Sequence, residues 1–447
     1  MTMAAASAFR SAILHCLADP GVHGDAAAVE YFDDGLLVVE QGLVSALGPA
    51  ADLLPKLGEG VRLIDAPDKL IIPGFIDCHV HYSQVDIIAS YGEQLLDWLD
   101  RYAYPAEMRF ADAAHAADVA RFFTAELLRN GTTTALVFAT VHPQSAEAIF
   151  EAAARANMRL LAGKVLMDRN CPAALRDDPD SAYRQSRLLI EKWHGKDRLS
   201  YAITPRFAVT SSDEQLTAAG RLADEFPDVH VHTHLAENDD EVEFVRQQFP
   251  DSRSYLQVYE SFGLVRERSV FAHCLRLDRA DREVLAERGG SIAFCPSSNL
   301  FLGSGLFDLQ SASDHSIRVG IGSDVGGGTS LSILRTLGDA YKVLQLQGQS
   351  LPAFRALYLA TLGAARALYL DDKLGNFSVG KEADFLMLDA QNASLTKRRL
   401  ATVEDVAEKL FALLVLGDDR NVAATYLMGE PAFVADNSIA QTPGAVP

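Results

Sequence analysis

A chain of 447 residues, 49% of them apolar, is long enough for one large buried core with a smaller companion domain. Its formal net charge of −20 argues against nucleic acid or an anionic membrane surface as a partner, because both need basic patches. No run approaches the ~20 apolar residues of a membrane span, so the composition favours a soluble protein that acts on a small molecule.

The cysteines and the first residues favour the cytoplasm. The five cysteines are odd in number, scattered and without CxxC spacing: Cys16, Cys78, Cys171, Cys274 and Cys295. This pattern argues against a disulfide framework and against a structural zinc site. Residues 1–15 contain one arginine but no long apolar core, so we expect no secretion signal and a cytoplasmic protein.

Both ends of the chain contain short β-segments. Near the start they include residues 35–40 and 61–64, and near the end residues 375–388 have a similar texture. We therefore expect residues 1–70 and 375–447 to combine into one small β-sandwich domain.

Between these ends, short apolar strands alternate with amphipathic helical stretches. The eight candidate strands are residues 72–81, 132–140, 159–168, 199–207, 229–235, 269–274, 291–296 and 318–324. Helical periodicity separates them, for instance over residues 116–129 and 146–156. Eight such repeats in ~250 residues predict an α/β fold, a (β/α)8 TIM-like barrel over residues 71–374.

The first of these strands ends in two histidines, His79 and His81. Strand side chains alternate between faces, so both imidazoles point the same way. Neutral imidazoles are preferred ligands of zinc and similar divalent ions, and two of them on one face can hold one ion. The alternative is a pair of buried, hydrogen-bonded core histidines.

Four other strands also end in polar or ionisable residues. In chain order these residues are Arg206 with Phe207, His234 with Glu237 three positions on, His273, and Asp324. Reactive side chains of such barrels cluster at the carboxyl ends of the strands. A purely structural barrel has no reason to place all of these groups at one end, so we expect an active site there.

Each residue also has a structural alternative. His230 and His232 lie deeper in strand five, and we expect them to be hydrogen-bonded core residues. Glu237 could be a solvated member of an acidic stretch, His273 a core histidine and Asp324 a helix cap. The joint pattern nevertheless favours the active-site interpretation.

Three histidines and one aspartate then form a candidate metal site: His79, His81, His234 and Asp324. An ion held there lowers the pKa of a bound water toward neutral. Glu237 is suited to proton transfer, and His273 can hydrogen-bond the developing oxygen.

Two groups of motifs carry a resemblance to a known family. HVH at 79–81, HLAE at 234–237, His273 and SDVG at 323–326 resemble the amidohydrolase superfamily. Longer segments between residues 73 and 385 resemble the guanine deaminases of that superfamily. YPAE at 104–107 and PRF at 205–207 are the most specific of them.

The resemblance implies hydrolytic deamination of guanine to xanthine and ammonia, with one zinc ion per chain and a homodimer. The family's metal ligands match His79, His81, His234 and Asp324. Its substrate-binding positions match Gln84, Arg206 and Phe207, together with His234, Glu237 and Asp324. Glu237 matches the proton shuttle, and His273 and Asp324 complete the catalytic set.

Three other functions stay open on sequence alone. A related mononuclear zinc aminohydrolase could act on a pterin, a triazine or another purine. A two-metal hydrolase of cyclic amides is disfavoured, because strand four ends in Pro205-Arg206 and offers no lysine to bridge two ions. Lys164, one strand earlier, is expected to be structural. A non-catalytic scaffold would be expected to have lost ligands, and here all are present.

Overall fold

The strands of this computed structural model, which describes residues 6–92 and 94–435, belong to two sheets. In chain order they are β1 (Ser7–Cys16), β2 (Val29–Glu40), β3 (Leu43–Pro49), β4 (Arg62–Pro73), β5 (Phe75–His81), β6 (Thr132–Phe138), β7 (Arg159–Gly163), β8 (Val165–Leu166), β9 (Leu199–Pro205), β10 (His230–Leu235), β11 (Ser269–His273), β12 (Ser291–Phe294), β13 (Arg318–Ile321), β14 (Phe385–Asp389), β15 (Val422–Leu427) and β16 (Glu430–Val434).

The α-helices, in the same order, are α1 (Ala50–Leu53), α2 (Leu95–Trp98), α3 (Tyr104–Met108), α4 (Ala113–Arg129), α5 (Pro143–Ala156), α6 (Pro179–Trp193), α7 (Asp213–Glu225), α8 (Asp239–Gln248), α9 (Tyr255–Ser261), α10 (Arg279–Arg288), α11 (Pro296–Phe301), α12 (Leu309–Asp314), α13 (Ile333–Leu346), α14 (Ala353–Ala360), α15 (Leu362–Ala367), α16 (Ser394–Leu400) and α17 (Val406–Leu416). Among the described residues, no helix has the length and apolar character needed to cross a bilayer.

The larger sheet is a parallel barrel. Its order is β5-β6-β7-β9-β10-β11-β12-β13, and β8 continues β7 alongside β9. The sheet closes where β13 ends. There the backbone N–H of Asp324 donates to His79 O at 2.9 Å, and that of His81 donates to Val325 O at 3.0 Å. The predicted (β/α)8 barrel is confirmed.

Apolar side chains fill the barrel, among them Ile76, Leu136 and Ala272. Both faces of these parallel strands are buried, which is why the sequence reads as continuous apolar runs. Helix α15 covers the amino ends of the strands, and Leu368 O lies 2.8 Å from Nε2 of His230 at the start of β10. Among the described residues, the open end of the barrel is therefore the opposite, carboxyl end, where the pocket lies.

All eight predicted barrel strands are present, but their ends are shifted. Residues 72–73 belong to β4 of the smaller sheet, and Gly74 separates the two sheets. A Cβ at Gly74 would lie 2.0 Å from Thr133 Oγ1, so the link requires glycine. At the other ends, Phe207 and Asp324 lie in the turns after β9 and β13, because they leave the ladder to face the mouth of the barrel.

The two predicted helical stretches are also longer than expected, because their first turns lack apolar periodicity. Helix α4 begins at Ala113, where the Asp112 side chain accepts a hydrogen bond from Ala114 N. Helix α5 begins at Pro143, in the first turn, where proline's missing N–H is tolerated.

The smaller sheet combines both ends of the chain, as predicted. Its order is β16-β15-β14-β4-β1-β2-β3, so N-terminal and C-terminal strands meet between β4 and β14. The strands form one continuous sheet that curls around a shared core. The rings of Phe9 and Phe385 are 4.8 Å apart although β4 lies between their strands. The backbone N–H of Val44 in β3 donates to Lys381 O at 2.8 Å, which joins the edge strand β3 to the turns that precede β14.

The C-terminal part of this domain differs from the prediction in detail. Only residues from Phe385 onward form β14. Residues 375–384 form turns, because Gly375 and Gly380 have positive φ angles that interrupt a strand. The helices α16 and α17 were not predicted. The predicted ranges 1–70 and 375–447 extend past the described residues at both termini and stay a prediction.

Candidate active site

Three histidines and one aspartate meet at the carboxyl end of the barrel. His79 and His81 lie at the end of β5, His234 near the end of β10, and Asp324 after β13. One ligand atom from each residue lies within 4.8 Å of the others. His79 Nε2 is 3.2 Å from Asp324 Oδ1, and His81 Nε2 is 3.1 Å from His234 Nε2. The structure thus brings the four predicted metal ligands together.

The far nitrogens of two of these imidazoles have partners of their own. His234 Nδ1 donates to Arg206 O at 2.7 Å, which leaves the lone pair on Nε2 in the neutral ring. His79 Nδ1 lies 2.8 Å from His232 Nε2. His79 Nε2 faces the Asp324 carboxylate at 3.2 Å and has no other hydrogen-bond partner among the described residues. Metal-ligating histidines are typically oriented by such a partner on the second nitrogen.

The protonation of the four residues also suits a cation. Burial lowers the pKa of His79, His81 and His234 below the usual value, which favours neutral rings. Burial alone would raise the pKa of Asp324, but the neighbouring histidines, His79 first, lower it to about 2. Three neutral imidazoles and one carboxylate form a donor set that zinc prefers. The residues therefore fit a divalent metal ion.

Glu237 and His273 lie beside these ligands. Glu237 Oε2 is 3.3 Å from His273 Nε2, which is 3.7 Å from Asp324 Oδ2. Burial raises the pKa of Glu237 to about 7. Burial acts to lower the pKa of His273, but the carboxylates of Glu237 and Asp324 outweigh it and raise that pKa. A carboxyl group that titrates near neutral pH can both take and give a proton.

Local hydrogen bonds fix this pair. Ser304 Oγ donates to Glu237 Oε1 at 2.9 Å, and His273 Nδ1 lies 2.8 Å from Asn299 Oδ1. Helix α8 begins with a capping box in which Glu241 accepts from the backbone N–H groups of Glu237 at 2.8 Å and Asn238 at 3.1 Å. Glu237 is only 2% exposed, so the alternative of a solvated glutamate is excluded.

A polar wall stands next to the metal-ligand cluster. Gln84 lies in the 3-10 turn after β5, and Arg206 follows β9. The buried carboxylate of Glu107 in α3 lies between them. It accepts from Gln84 Nε2 at 2.9 Å and from Arg206 Nη1 at 2.6 Å. The Arg206 guanidinium also lies 5.2 Å over the ring of Tyr104, a cation–π contact.

These groups line one pocket with about 390 Å³ of space free of protein atoms, its open mouth included. Its lining residues are His81, Gln84, Leu95, Trp98, Leu99, Arg206, Phe207, His234, Glu237, His273, Ser298, Leu302, Asp324 and Gly327. Polar groups converge at the base, while Leu95, Trp98, Leu99 and Leu302 form apolar walls. A small, flat, polar molecule suits such a site.

Every predicted site residue therefore lies at this pocket: eight positions line it, and the ninth, His79, lies directly behind it. His230 and His232 are buried and hydrogen-bonded, as expected. Lys164 is buried in an ion pair with Asp177 and donates to Val165 O at 3.2 Å, which agrees with a structural role.

Sequence reasoning missed several residues that hold the site together. Asp77 accepts from the backbone N–H of His79 at 3.2 Å and from the backbone and hydroxyl of Ser323, and so ties β5 to the turn that carries Asp324. The alternation of residues 77, 79 and 81 was a usable signal for it. Glu107 lies in the YPAE motif, but the motif alone does not indicate what its carboxylate contacts. Ser304 lies in a loop without periodicity, so no local pattern could have found it.

A model of the amidohydrolase family matches residues 70–432. The chain is similar to the guanine deaminase of Escherichia coli K12, with 50% identity over 404 residues that cover 90% of this chain and 92% of that protein.

Solved structures give the same family. The structure of an E. coli guanine deaminase has a TM-score of 0.94 at 48% identity and covers 96% of this chain and 100% of its own. A guanine deaminase from C. acetobutylicum, crystallised with guanine bound in its active site, has a TM-score of 0.87 at 26% identity. That comparison covers 96% of this chain and 100% of the other.

Proposed function

Because this chain belongs to the amidohydrolase family, we propose that it catalyses the hydrolytic deamination of guanine to xanthine and ammonia. The observation that carries the proposal is the composition of one pocket in a chain 50% identical to a guanine deaminase. That pocket combines a three-histidine, one-aspartate cluster, the Glu237–His273 pair, and the donors of Gln84 and Arg206.

The proposed cofactor is one zinc ion per chain, held by His79, His81, His234 and Asp324. When bound, it supplies Lewis acidity and lowers the pKa of water toward neutral. The close approach of these donor atoms supports a single ion. So does the ion pair that engages Lys164 with Asp177, away from the cluster, since the described residues that line the pocket include no lysine to bridge a second ion.

In this proposal Glu237 moves the protons. It takes one proton from the attacking water and delivers it to the ring nitrogen beside C2. It then takes the second proton from the hydroxyl formed on C2 and delivers it to the amino group, which leaves as ammonia. Its neighbour His273 donates a hydrogen bond to the oxygen that forms at C2. The raised pKa of Glu237, about 7, supports this role, because the same group must accept and release protons in one cycle.

Substrate recognition falls to the polar wall and to Phe207. Arg206 donates to the carbonyl oxygen at position six, because a guanidinium carries donors only. Phe207 is 3% exposed and packs against the base. The apolar walls around Trp98 and Leu302 exclude water, which strengthens the hydrogen bonds inside.

A homodimer and a cytoplasmic location are part of the same proposal. They rest on the sequence resemblance and on the acidic, disulfide-free composition; all five cysteines are unpaired. Light scattering of the purified protein measures its molecular mass in solution and so tests the dimer. The mass of a monomer or a tetramer would contradict it.

A substrate panel tests the proposed activity. Purified, zinc-loaded protein is incubated with guanine, adenine, cytosine or pterin, and released ammonia is measured. The proposal expects release from guanine above all others and its loss in protein stripped by a chelator. Preference for a pterin, a triazine or another purine would instead assign the chain to a related aminohydrolase.

A further inference from the structure

Glu107 occupies an unusual place for a residue that touches no reacting atom. Its side chain is fully buried, and so, to within 2%, are its two partners Gln84 and Arg206. One carboxylate oxygen accepts from Gln84 Nε2 at 2.9 Å and the other accepts from Arg206 Nη1 at 2.6 Å. Glu107 therefore connects the two polar groups that line the pocket wall.

The chemistry of a carboxylate fixes which way the Gln84 amide faces. A carboxylate paired with a guanidinium accepts hydrogen bonds but cannot donate them. The amide must therefore turn its NH2 group toward Glu107, and its oxygen toward the other side. Among the described residues, the one contact of that oxygen is a long one of 3.4 Å with Gly326 N, so it is left to accept from a ligand.

We propose that Glu107 is a positioning residue that holds an acceptor, the Gln84 oxygen, beside a donor, the Arg206 guanidinium. The pair then recognises an N–H next to a carbonyl, which is the lactam edge of a 6-oxopurine. This inference rests on the proposed function and deepens it, because it assigns the discrimination between purines to one buried carboxylate outside the reacting centre.

The order of contacts along the wall fits that edge. His81 Nδ1 is 3.4 Å from Gln84 Nε2, and Gln84, Glu107 and Arg206 follow in contact. A guanine with C2 toward the histidines and O6 toward Arg206 places its N1–H between them, opposite Gln84. An adenine-type edge has the reverse pattern, an acceptor at N1 and a donor at position six. Its N1 acceptor would face the Gln84 oxygen, also an acceptor, and its amino group would face the Arg206 guanidinium, also a donor.

The variant Glu107→Gln tests the proposal through a forced rearrangement. Arg206 can only donate hydrogen bonds, so the oxygen of the new amide must face it and accept from the guanidinium. The NH2 of that amide then faces Gln84, which must rotate and turn its own NH2 toward the pocket. The position opposite N1 changes from acceptor to donor.

We therefore expect Glu107→Gln to lower kcat/KM for guanine by about 10²-fold, mainly through KM, because a site built to pair a polar group rejects a mismatch strongly. Inhibition by 2-aminopurine, which has an N1 acceptor and no oxygen at position six, should be unchanged or stronger. In a Gln84→Ala background the same change should lower kcat/KM by less than about tenfold, since the group it acts through is absent.

The matched control is Asp281→Asn, another buried carboxylate that pairs with an arginine. Asp281 accepts from Arg253 Nη2 and Ser254 Oγ, each at 2.6 Å, outside the pocket. The Asp281→Asn variant should have a changed stability but an unchanged kcat/KM for guanine and unchanged inhibition by 2-aminopurine. Zinc content and melting temperature are measured for each variant. If Glu107→Gln does not fold, Glu107→Asp, which withdraws the carboxylate by one methylene, is compared in the same way.

Each result has one interpretation. If the wild type does not deaminate guanine, the proposed function and this inference both fail. If the wild type is active, three results overturn the inference alone: no change in Glu107→Gln, equal loss for guanine and 2-aminopurine, or an undiminished effect in the Gln84→Ala background.

Discussion

Asp324 and His79 are joined twice. The backbone N–H of Asp324 donates to His79 O at 2.9 Å, and Asp324 Oδ1 lies 3.2 Å from His79 Nε2. The first contact closes the barrel between its last and first strands, and the second brings two candidate metal ligands together. Closure of the fold and assembly of the site therefore depend on the same pair of residues.

Glu237→Gln should keep the metal and lose most turnover. The amide is nearly isosteric but cannot take a proton from water, and general acid–base catalysis contributes about 10²–10⁴-fold. Zinc content and kcat for guanine are measured together. The control is Glu243→Gln, in the same acidic stretch but exposed and paired with Arg246, and it should behave as wild type. A zinc-loaded Glu237→Gln protein with normal kcat would exclude Glu237 as the shuttle.

Arg198→Ala should destabilise the protein without affecting the chemistry. Arg198 joins the barrel to the small sheet: it donates to Glu382 at 2.7 Å, forms an ion pair with Asp384, and donates to Asn157 O at 2.8 Å. Removing one member of a buried charge cluster typically costs about 3–5 kcal/mol. We expect a clearly lower melting temperature and an unchanged kcat in the folded protein.

The exposed pair of Arg155 and Glu151 provides the comparison for Arg198. These side chains are 64% and 49% exposed and lie one helical turn apart in α5. Arg155→Ala should cost no more than about 0.5 kcal/mol, because water screens the pair. Equal melting temperatures for the two variants would mean that the Arg198 cluster contributes little.

Acid should remove one identifiable contribution to stability. Hydrogen bonds from Arg420 lower the pKa of the buried Asp418 carboxyl to about 2. The pKa of an unfolded aspartate is about 3.9. A depressed folded-state pKa stabilises the protein fully above pH 4, and this contribution is lost as pH falls toward 2. Denaturation curves of wild type and Asp418→Asn should therefore differ at pH 6 and converge toward pH 2. A constant difference would contradict the assignment.

Local patterns predicted the barrel, because an apolar strand followed by an amphipathic helical stretch recurs eight times in the sequence. The polar residues that follow five of these strands all lie at the same end of the barrel. His79, His81, His234 and Asp324 could be found since they end apolar runs at strand periodicity. The roles of Gln84, Arg206 and Phe207 came from resemblance alone. The Glu107 bridge could not be predicted, because it joins α3 to residues 23 and 99 positions away, and no local pattern encodes that distance.

The central claim is a guanine deaminase reaction that depends on one zinc ion per chain. The most direct test is to strip the purified protein of metal, titrate zinc back, and measure xanthine formed from guanine at each step. The account predicts a linear rise that ends at one equivalent of zinc per chain. A break at two equivalents, activity without metal, or no xanthine at any zinc level would contradict it.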